Sequence, residues 1–307
     1  MIQILTVIAP LFLIIFASAL LQKFKIIGDN WSTVLNEFAL KIGFPVLIFS
    51  ALSKAPFSFS TEAGLIISNS LFIVASLLLA FVSGKILRLE KQMFRTLFIC
   101  LVFGNVAYLG IPILTQISGD KILPTATLIV AIYLFWIFTI GIGYLDYSTE
   151  KNKKNAAKNI IKNLLTNPLL ISVILGILIG SFKITLPAIL LKSLDMITAS
   201  VTPTVLIVIG LFIGKSKFGK VSEWLPVLLF SILKLAVLPA IFYFGTKFSG
   251  AQLSQFPGSI IQAAMPLAIT PFALADKYKL NKDFIARSIV LSTILSVISL
   301  PFWISIS

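Results

Sequence analysis

The chain has 307 residues, of which 58% are hydrophobic and only 12% are charged, and its mean hydropathy is +1.04. Because soluble domains carry far more charged residues, this composition excludes a soluble protein and indicates several membrane spans. The net charge of +14 lies in short loops between apolar runs, so it indicates membrane topology rather than nucleic-acid binding.

Ten apolar runs are long enough, at about 20 residues each, to cross the hydrocarbon core of a bilayer. The first run has no basic segment before it and no convincing cleavage site, so we interpret it as a retained span rather than a signal peptide. We number the runs spans 1 to 10, and their approximate bounds are 4–22, 32–53, 63–84, 94–117, 122–145, 164–181, 187–214, 224–244, 257–276 and 284–305.

Basic residues are distributed unevenly between the loops. The loops after the odd-numbered spans hold 17 lysines and arginines, whereas the loops after the even-numbered spans hold 5. Because basic loops stay in the cytoplasm, the sequence predicts cytoplasmic odd-numbered loops and both termini outside. We therefore expect a multi-pass protein of the cell membrane, which in a bacterium is the inner membrane.

The chain divides into two similar halves. The polar segment 146–163 is interpreted as a solvated cytoplasmic linker between a first half, 1–145, and a second half, 164–307. Prolines with similar neighbours recur 158 or 159 positions apart, in the pairs Pro10 and Pro168, Pro45 and Pro203, and Pro112 and Pro271. Since five spans is an odd number, the second half must enter the bilayer from the opposite side. The pattern predicts an inverted five-helix repeat, which is typical of transporters.

Spans 4 and 9 occupy corresponding places in the two halves, and both contain helix-breaking residues. Span 4 contains "GNVAYLGIPIL", with Asn105, Gly110 and Pro112, and span 9 contains "AAMPLAITPFAL", with Pro266 and Pro271. Two unwound segments near the bilayer midplane would present helix N-termini that suit a carboxylate or another anion. The sequence therefore predicts an anion site here, although glycine and proline are also common in ordinary membrane helices.

Charged residues inside spans were considered as further candidates. Lys234 lies near the centre of span 8, where a lysine costs about 2.5–3.5 kcal/mol on insertion scales. No acidic residue lies within a turn of it, so its partner is expected on another helix, in a cavity or in the substrate. Glu37 and Lys41 are an i, i+4 pair on span 2. We interpret them and Asp195 as mainly structural residues toward the cytoplasmic end, with coupling or gating as the alternative.

Several chemistries are excluded by composition. The chain has no histidine and one cysteine, Cys100, so it has no HExxH zinc motif, histidine proton relay or disulfide. It also has no Walker A or dinucleotide-binding motif. We therefore expect no enzymatic activity, no cofactor and no bound metal.

Several segments together resemble a known family. They include "FALKIGFPVLIFSALS" (38–53), "FGNVAYLGIPIL" (103–114), "NPLLISVILGILIG" (167–180), "TPTVLIVIGLFIG" (202–214) and "QAAMPLAITPFALADKY" (262–278). In this order they are similar to the auxin efflux carrier family, which includes the plant PIN proteins and bacterial malate or malonate permeases. The fold superfamily is that of the bile acid:sodium symporters. The resemblance covers essentially the whole chain.

The resemblance implies ten transmembrane helices in two inverted repeats, with broken crossover helices 4 and 9. It implies an elevator-type carrier in which helices 3–5 and 8–10 move beside a scaffold of helices 1, 2, 6 and 7. Because Ala264 replaces an amide opposite Asn105, a smaller organic anion than auxin is expected, with carboxylates foremost. The lipid bilayer is the other expected partner, a homodimer is left open, and no nucleic acid is expected. The candidate substrate-binding residues are Ser53, Asn105, Gly110, Pro112, Lys234, Pro266, Thr270 and Pro271.

Two other functions remain open on the residues alone. A sodium- or proton-coupled symporter of the bile acid:sodium symporter type would need carboxylates and amides converging on a cation, and spans 4 and 9 contain no acidic residue near their breaks. A channel or membrane sensor could share the architecture without turning over a substrate.

Overall fold

The computed structural model describes residues 2–55, 59–149, 156–216, 219, 223–252 and 255–307. Within these ranges every regular element is helical, and one isolated antiparallel bridge joins Gly104 to Leu267. The expectation of an all-helical protein is confirmed for the described residues.

Seven unbroken helices in the described part of the chain are long and apolar enough to cross a bilayer. They correspond to spans 1, 2, 3, 5, 7, 8 and 10, and they comprise Gln3–Lys23, Trp31–Ser53, Glu62–Ile86, Asp120–Thr149, Ala188–Lys215, Trp224–Phe248 and Lys282–Ile306. The region of span 6 is a bent pair, Ile160–Thr166 and Pro168–Ser181, with an angle of 58° between the two helices. Length and composition therefore support seven spans, or eight with the bent pair, rather than ten.

Spans 4 and 9 are not continuous helices. Span 4 consists of Lys91–Val102 and Val106–Ser118, and span 9 consists of Pro257–Ala263 and Thr270–Tyr278. The breaks lie where glycine and proline predicted them, and they are the reason why neither span contains a helix of spanning length.

Four helices contain a widened π turn, at Ala39–Gly43, Val106–Gly110, Ile137–Gly141 and Leu233–Val237. A proline follows two residues after three of these turns, at Pro45, Pro112 and Pro239. Proline has no N–H to donate and its ring crowds the preceding carbonyl groups, so the turn before it opens. The positions of the prolines thus explain three of the four π turns.

Spans 1, 2, 6 and 7 pack closely through small residues. Span 6 carries Gly176 and Gly180, and span 7 carries Gly210 and Gly214, so each has a G-x-x-x-G motif. A Cβ added at Gly180 would lie 2.4 Å from the carbonyl oxygen of Ala55 in the span 2 region, and one added at Gly210 would lie 2.2 Å from that of Ile15 in span 1. Backbones can approach this closely only where a side chain is missing.

Corresponding elements of the two halves make corresponding contacts. Span 1 packs along span 7, as span 2 packs along span 6, and span 3 packs on span 5, as span 8 packs on span 10. Six of the seven described residues with positive φ are also spaced by about 160 positions, in the pairs Lys25 and Lys183, Arg88 and Gly250, and Gly119 and Lys279, while Gly219 has no counterpart among the described residues.

The central linker is more structured than its composition predicted. The span 5 helix continues to Thr149 and a further helix covers Ala156–Thr166, while residues 150–155 lie outside the described residues. Asp146, expected in solvent, is 1% exposed, and its carboxylate lies 3.9 Å from the Lys277 ammonium. A helix end packed on its neighbours thus replaces much of the expected loop.

The acidic residues of spans 2 and 7 form separate ion pairs. Glu37 and Lys41 pair as expected, with 3.3 Å between the charged atoms. Asp195 instead pairs with Lys54 at 2.5 Å, at the other end of span 2. The expectation that Glu37 and Asp195 lie toward the same end is therefore wrong. Equivalent positions in two inverted halves should indeed face opposite membrane surfaces.

Candidate functional site

The breaks in spans 4 and 9 lie against each other. The backbone N–H of Asn105 donates to the carbonyl of Pro266 at 2.8 Å, and the N–H of Ala268 donates to the carbonyl of Phe103 at 3.0 Å. Backbone groups released by a broken helix inside a membrane protein must find partners within the protein. We call this pairing of residues 103–105 with 266–268 the crossover bridge.

A cavity of about 260 Å³ adjoins the crossover bridge. Its walls are mostly aromatic and aliphatic, with Phe44, Phe103, Ile137 and Phe138 among them. Its polar side chains are those of Asn105, Tyr108, Tyr133, Asn167 and Thr270, and no charged side chain of the described residues lines it. We call it the crossover cavity.

Two of these polar side chains have no protein partner in the described part of the chain. Asn105 is 2% exposed, yet its side chain does not cap the helix that follows it and makes no other hydrogen bond. The hydroxyl of Tyr133 is buried and also unpaired. By contrast, the Tyr108 hydroxyl donates to Asn36 Oδ1 at 2.8 Å. An unpaired buried polar group costs about 1–3 kcal/mol, so a bound molecule would gain by pairing with the Tyr133 hydroxyl. The Asn105 amide also lines the cavity and is available to the same molecule.

Helix N-termini add further donors to the cavity. Val106, Ala107 and Tyr108 open the second helix of span 4 and line the cavity, as does Thr270, which opens the second helix of span 9. The first N–H groups of a helix have no partner within the helix, and the dipole makes this end positive. This end of the cavity therefore suits an anion.

Lys234 places a positive charge behind the crossover bridge. It is 3% exposed, and its Nζ donates to the carbonyl of Leu101 at 2.6 Å. A Cβ built on Gly104, which lines the cavity, would lie 3.6 Å from this Nζ. No ion pair to an acidic residue is found for Lys234 among the described residues. The sequence predicted a partner for Lys234 on another helix, in a cavity or in the substrate. The structure supplies the Leu101 carbonyl, at the end of another helix, and no acidic side chain among the described residues.

The π turns are concentrated around the same place. Leu40, Val106 and Ile137 belong to three of these turns and line the cavity, while the fourth turn contains Lys234. Widened turns re-aim side chains and occur often at functional sites. Their clustering favours the crossover cavity as the functional centre.

The structure brings most, but not all, of the expected site residues together. Asn105 and Thr270 line the cavity, and Pro266 belongs to the crossover bridge. Pro112 and Pro271 lie in the helices just beyond it. Ser53 does not line the cavity; it lies at the end of span 2, where its hydroxyl donates to the carbonyl of Ser50 at 3.1 Å.

Gly110 does not line the cavity either, and its neighbour is a residue that sequence reasoning missed. A Cβ on Gly110 would lie 2.2 Å from Gln262 Oε1. Gln262 is 1% exposed, and neither polar atom of its side chain has a hydrogen-bond partner in the described part of the chain. The sequence feature that could have identified Gln262 is the position of its polar amide inside an apolar span, just before the break in span 9.

Gly110→Ala is expected to lower the thermal stability of the purified protein, because the new methyl group overlaps the buried Gln262 amide. Such overpacking costs about 1–3 kcal/mol. Gln262→Ala removes the obstacle, so adding it should restore most of the loss, and thermal unfolding of the two single variants and the double variant measures this coupling. Purely additive losses would contradict the contact.

A second cavity, of about 590 Å³, lies further along spans 2, 4 and 5. Ser50, Lys54, Lys121 and Asp195 are among its lining residues. Lys54 and Asp195 already pair with each other there. The second cavity also has Thr198 and Lys121 in its lining, but the two helix breaks and their N-termini meet only at the crossover cavity among the described residues, which makes that cavity the better candidate site.

Long apolar helices, together with two broken helices that meet beside a buried cavity, define a polytopic membrane protein of the transporter class. The chain belongs to the family described as "Membrane transport protein", which matches residues 3–304. This is the auxin efflux carrier family, so the resemblance inferred from the motifs is confirmed. An uncharacterized transporter of Methanocaldococcus jannaschii is 25% identical over 291 residues, which cover 91% of each chain.

Proposed function

We propose that the protein is a secondary carrier of small organic anions, carboxylates foremost, and that it binds them in the crossover cavity. The observation that carries the proposal is the Lys234 ammonium without an acidic partner, next to the crossover bridge. The unpaired Asn105 amide and the helix N-termini add hydrogen-bond donors. A negative group at the crossover end of the cavity would meet these donors directly and would have the Lys234 ammonium behind Gly104.

The form of the cavity narrows the substrate further. Donors are concentrated at the crossover bridge, and the remaining walls are largely aromatic and aliphatic. Binding pockets for drug-sized molecules measure about 300–1,000 Å³, so about 260 Å³ suits a smaller metabolite. The cavity favours an anion with one carboxylate and a compact apolar body.

We further propose that the chain forms ten spans in two inverted repeats. Three observations support this arrangement: the matched prolines, the paired left-handed residues and the matched contacts, in which span 1 packs on 7 as 2 packs on 6, and span 3 packs on 5 as 8 packs on 10. Spans 1, 2, 6 and 7, held by the glycine contacts, would form the scaffold. Spans 3–5 and 8–10 would move against it, as in an elevator, and carry the crossover bridge, while Phe44 of span 2 and Asn167 near the start of span 6 would form the scaffold side of the cavity.

The orientation follows from the distribution of basic residues. With Cys100 replaced by alanine, a cysteine placed within 150–155 should be protected from a membrane-impermeant thiol reagent in intact cells and labelled after permeabilisation. A cysteine beside Lys247, in a loop proposed to lie outside, is the matched control and should be labelled in both cases. Labelling of a cysteine within 150–155 in intact cells would overturn the proposed orientation and, with it, the proposal that both termini lie outside the cell.

The function is tested with purified protein in liposomes. A thermal-stability screen of carboxylates first identifies a ligand, and counterflow of its radiolabelled form then measures exchange. A carrier gives saturable counterflow, whereas a channel or a sensor gives none. Sodium-free buffer removes the coupling ion of a sodium symporter, and equal pH on both sides removes the proton gradient that would drive a proton-coupled one.

The membrane potential is the proposed energy source. Moving one charge through 100 mV yields about 2.3 kcal/mol, which sustains roughly a fiftyfold gradient of a monovalent anion. Transport in those liposomes should therefore respond to an imposed potential. A lack of response would reject potential-driven movement of net charge, and a strict sodium requirement would favour the symporter.

A further inference from the structure

The helix Ala156–Thr166, which we call the linker helix, has no role in the proposed binding of substrate. It follows the end of the span 5 helix at Thr149, and one residue, Asn167, separates it from Pro168, so it lies where the chain leaves and re-enters the bilayer. Its axis makes an angle of 58° with the following helix. Since spanning helices tilt by about 20° on average, the linker helix leans well away from the bilayer normal.

The linker helix exposes large apolar side chains. Ile160 faces the protein, because a Cβ on Gly143 would lie 2.8 Å from its Cδ1. Ile161 and Leu165, four residues apart and on one face, are 58% and 71% exposed. Two neighbouring aliphatic side chains are unfavourable in water, so this face is expected to lie in an apolar environment.

Basic residues accompany the apolar face. Lys158 and Lys162 lie in the linker helix, and Lys162 is exposed. The stretch 150–166 contains five lysines and a single acidic residue, Glu150. Exposed aliphatic groups next to lysines are the pattern of helices that bind at the interface of negatively charged bilayers.

We infer that the linker helix docks on anionic phospholipids of the cytoplasmic membrane surface. Ile161 and Leu165 insert among the upper acyl chains, and Lys162 contacts the negative headgroups. The occupant is lipid rather than another protein because the helix ends lie at two spans and the charge is complementary to an anionic leaflet.

Docking has a consequence for the crossover cavity, and this part rests on the proposed function. Asn167, Pro168 and Leu169 directly follow the linker helix and line the cavity. Asn167 Oδ1 accepts a hydrogen bond from the N–H of Leu169 at 2.9 Å, which fixes the junction. A linker helix held at the lipid surface therefore sets the position of one cavity wall.

The test uses full-length protein in nanodiscs, with Cys100→Ala and single cysteines at position 161, 165 or 163 that carry an environment-sensitive fluorophore. Nanodiscs contain phosphatidylcholine alone or mixed with phosphatidylglycerol, plus a lipid with a quencher on its acyl chain. Positions 161 and 165 should be quenched strongly in the anionic mixture, and position 163, on the polar side, should not. Replacing Lys158 and Lys162 by glutamine should lower the equilibrium constant for docking about fivefold for each lysine. The loss is measured as weaker quenching at positions 161 and 165.

The control removes the same charge elsewhere, with Lys85→Gln and Lys91→Gln in the loop after span 3. If this control pair reduced the quenching at positions 161 and 165 as much as the substitutions of Lys158 and Lys162 do, docking by the linker helix would be overturned. Equal quenching in neutral and anionic nanodiscs would overturn the recognition of anionic lipid. Absence of quenching at 161 and 165 in both would overturn insertion into the bilayer. None of these readouts depends on transport, so they remain decisive even if the proposed substrate class is wrong.

Discussion

Replacing Asn105 by aspartate is expected to abolish binding of the anionic substrate, whereas replacing it by alanine only weakens binding. Alanine removes one hydrogen bond, worth about 1.5–3 kcal/mol with a charged partner, which corresponds to roughly a tenfold to hundredfold loss. The helix N-termini remain, so binding persists. Aspartate has nearly the same shape as asparagine but adds a negative charge where the substrate carries its own. Binding isotherms and liposome uptake are measured for the wild type, Asn105→Ala and Asn105→Asp, and affinity and uptake should fall in that order.

The Asn105 side chain does not cap the following helix, so Asn105→Ala should leave the folded yield nearly unchanged. Asn105→Asp adds a charge at a buried position and carries an insertion cost, so binding is compared per folded molecule. Asn30→Asp, which adds the same charge at an exposed position just before span 2, is the matched control and should bind normally. If the aspartate variant binds and transports better than the alanine variant, the site binds a cation, and this result would favour the sodium- or proton-coupled symporter. If both variants transport like the wild type, the substrate binds elsewhere.

Lys234→Gln is expected to reduce transport by at least about thirtyfold, because removing one member of a buried charge interaction costs about 2–5 kcal/mol. Lys234 also donates to the carbonyl of Leu101, so loss of charge must be separated from loss of this hydrogen bond. Glutamine keeps a donor, and methionine removes both the donor and the charge. If the charge acts on the substrate, the two variants should lose transport equally.

Lys247→Gln removes the same charge at the exposed end of the same span and should transport normally. Folded yield of Lys234→Gln should be close to wild type, because removing a buried charge relieves an insertion cost. A stable glutamine variant with full transport would eliminate the functional role of Lys234. A collapse of folded yield in the methionine variant alone would identify the lysine as a cap for the helix Lys91–Val102.

Features that depend on local residues could be predicted from the sequence. Glycine and proline act on the backbone where they stand, so the breaks around Asn105 and before Pro271 were placed correctly. The ion pair of Glu37 with Lys41 depends only on helix spacing and was also predicted. The same holds for the seven unbroken apolar helices.

Features that depend on packing between distant segments could not be predicted. Tyr133 faces the cavity and Gln262 faces Gly110 only because the helices meet as they do, and neither residue stands in a distinctive motif. The linker helix was interpreted as loop because it is short and rich in lysine and asparagine. Ser53 was taken from the resemblance, and the fold places it away from the crossover cavity.

The crossover bridge also bears on how the protein is made. The polar backbone groups of Phe103 and Asn105 find their partners in Pro266 and Ala268, more than 150 residues later in the chain. While the ribosome is still delivering the second half, those groups lie in the bilayer region without their final partners, which is costly in hydrocarbon. The first half should therefore remain a substrate for membrane chaperones and proteases until span 9 arrives, and a chain truncated before Pro266 should be degraded rather than accumulate.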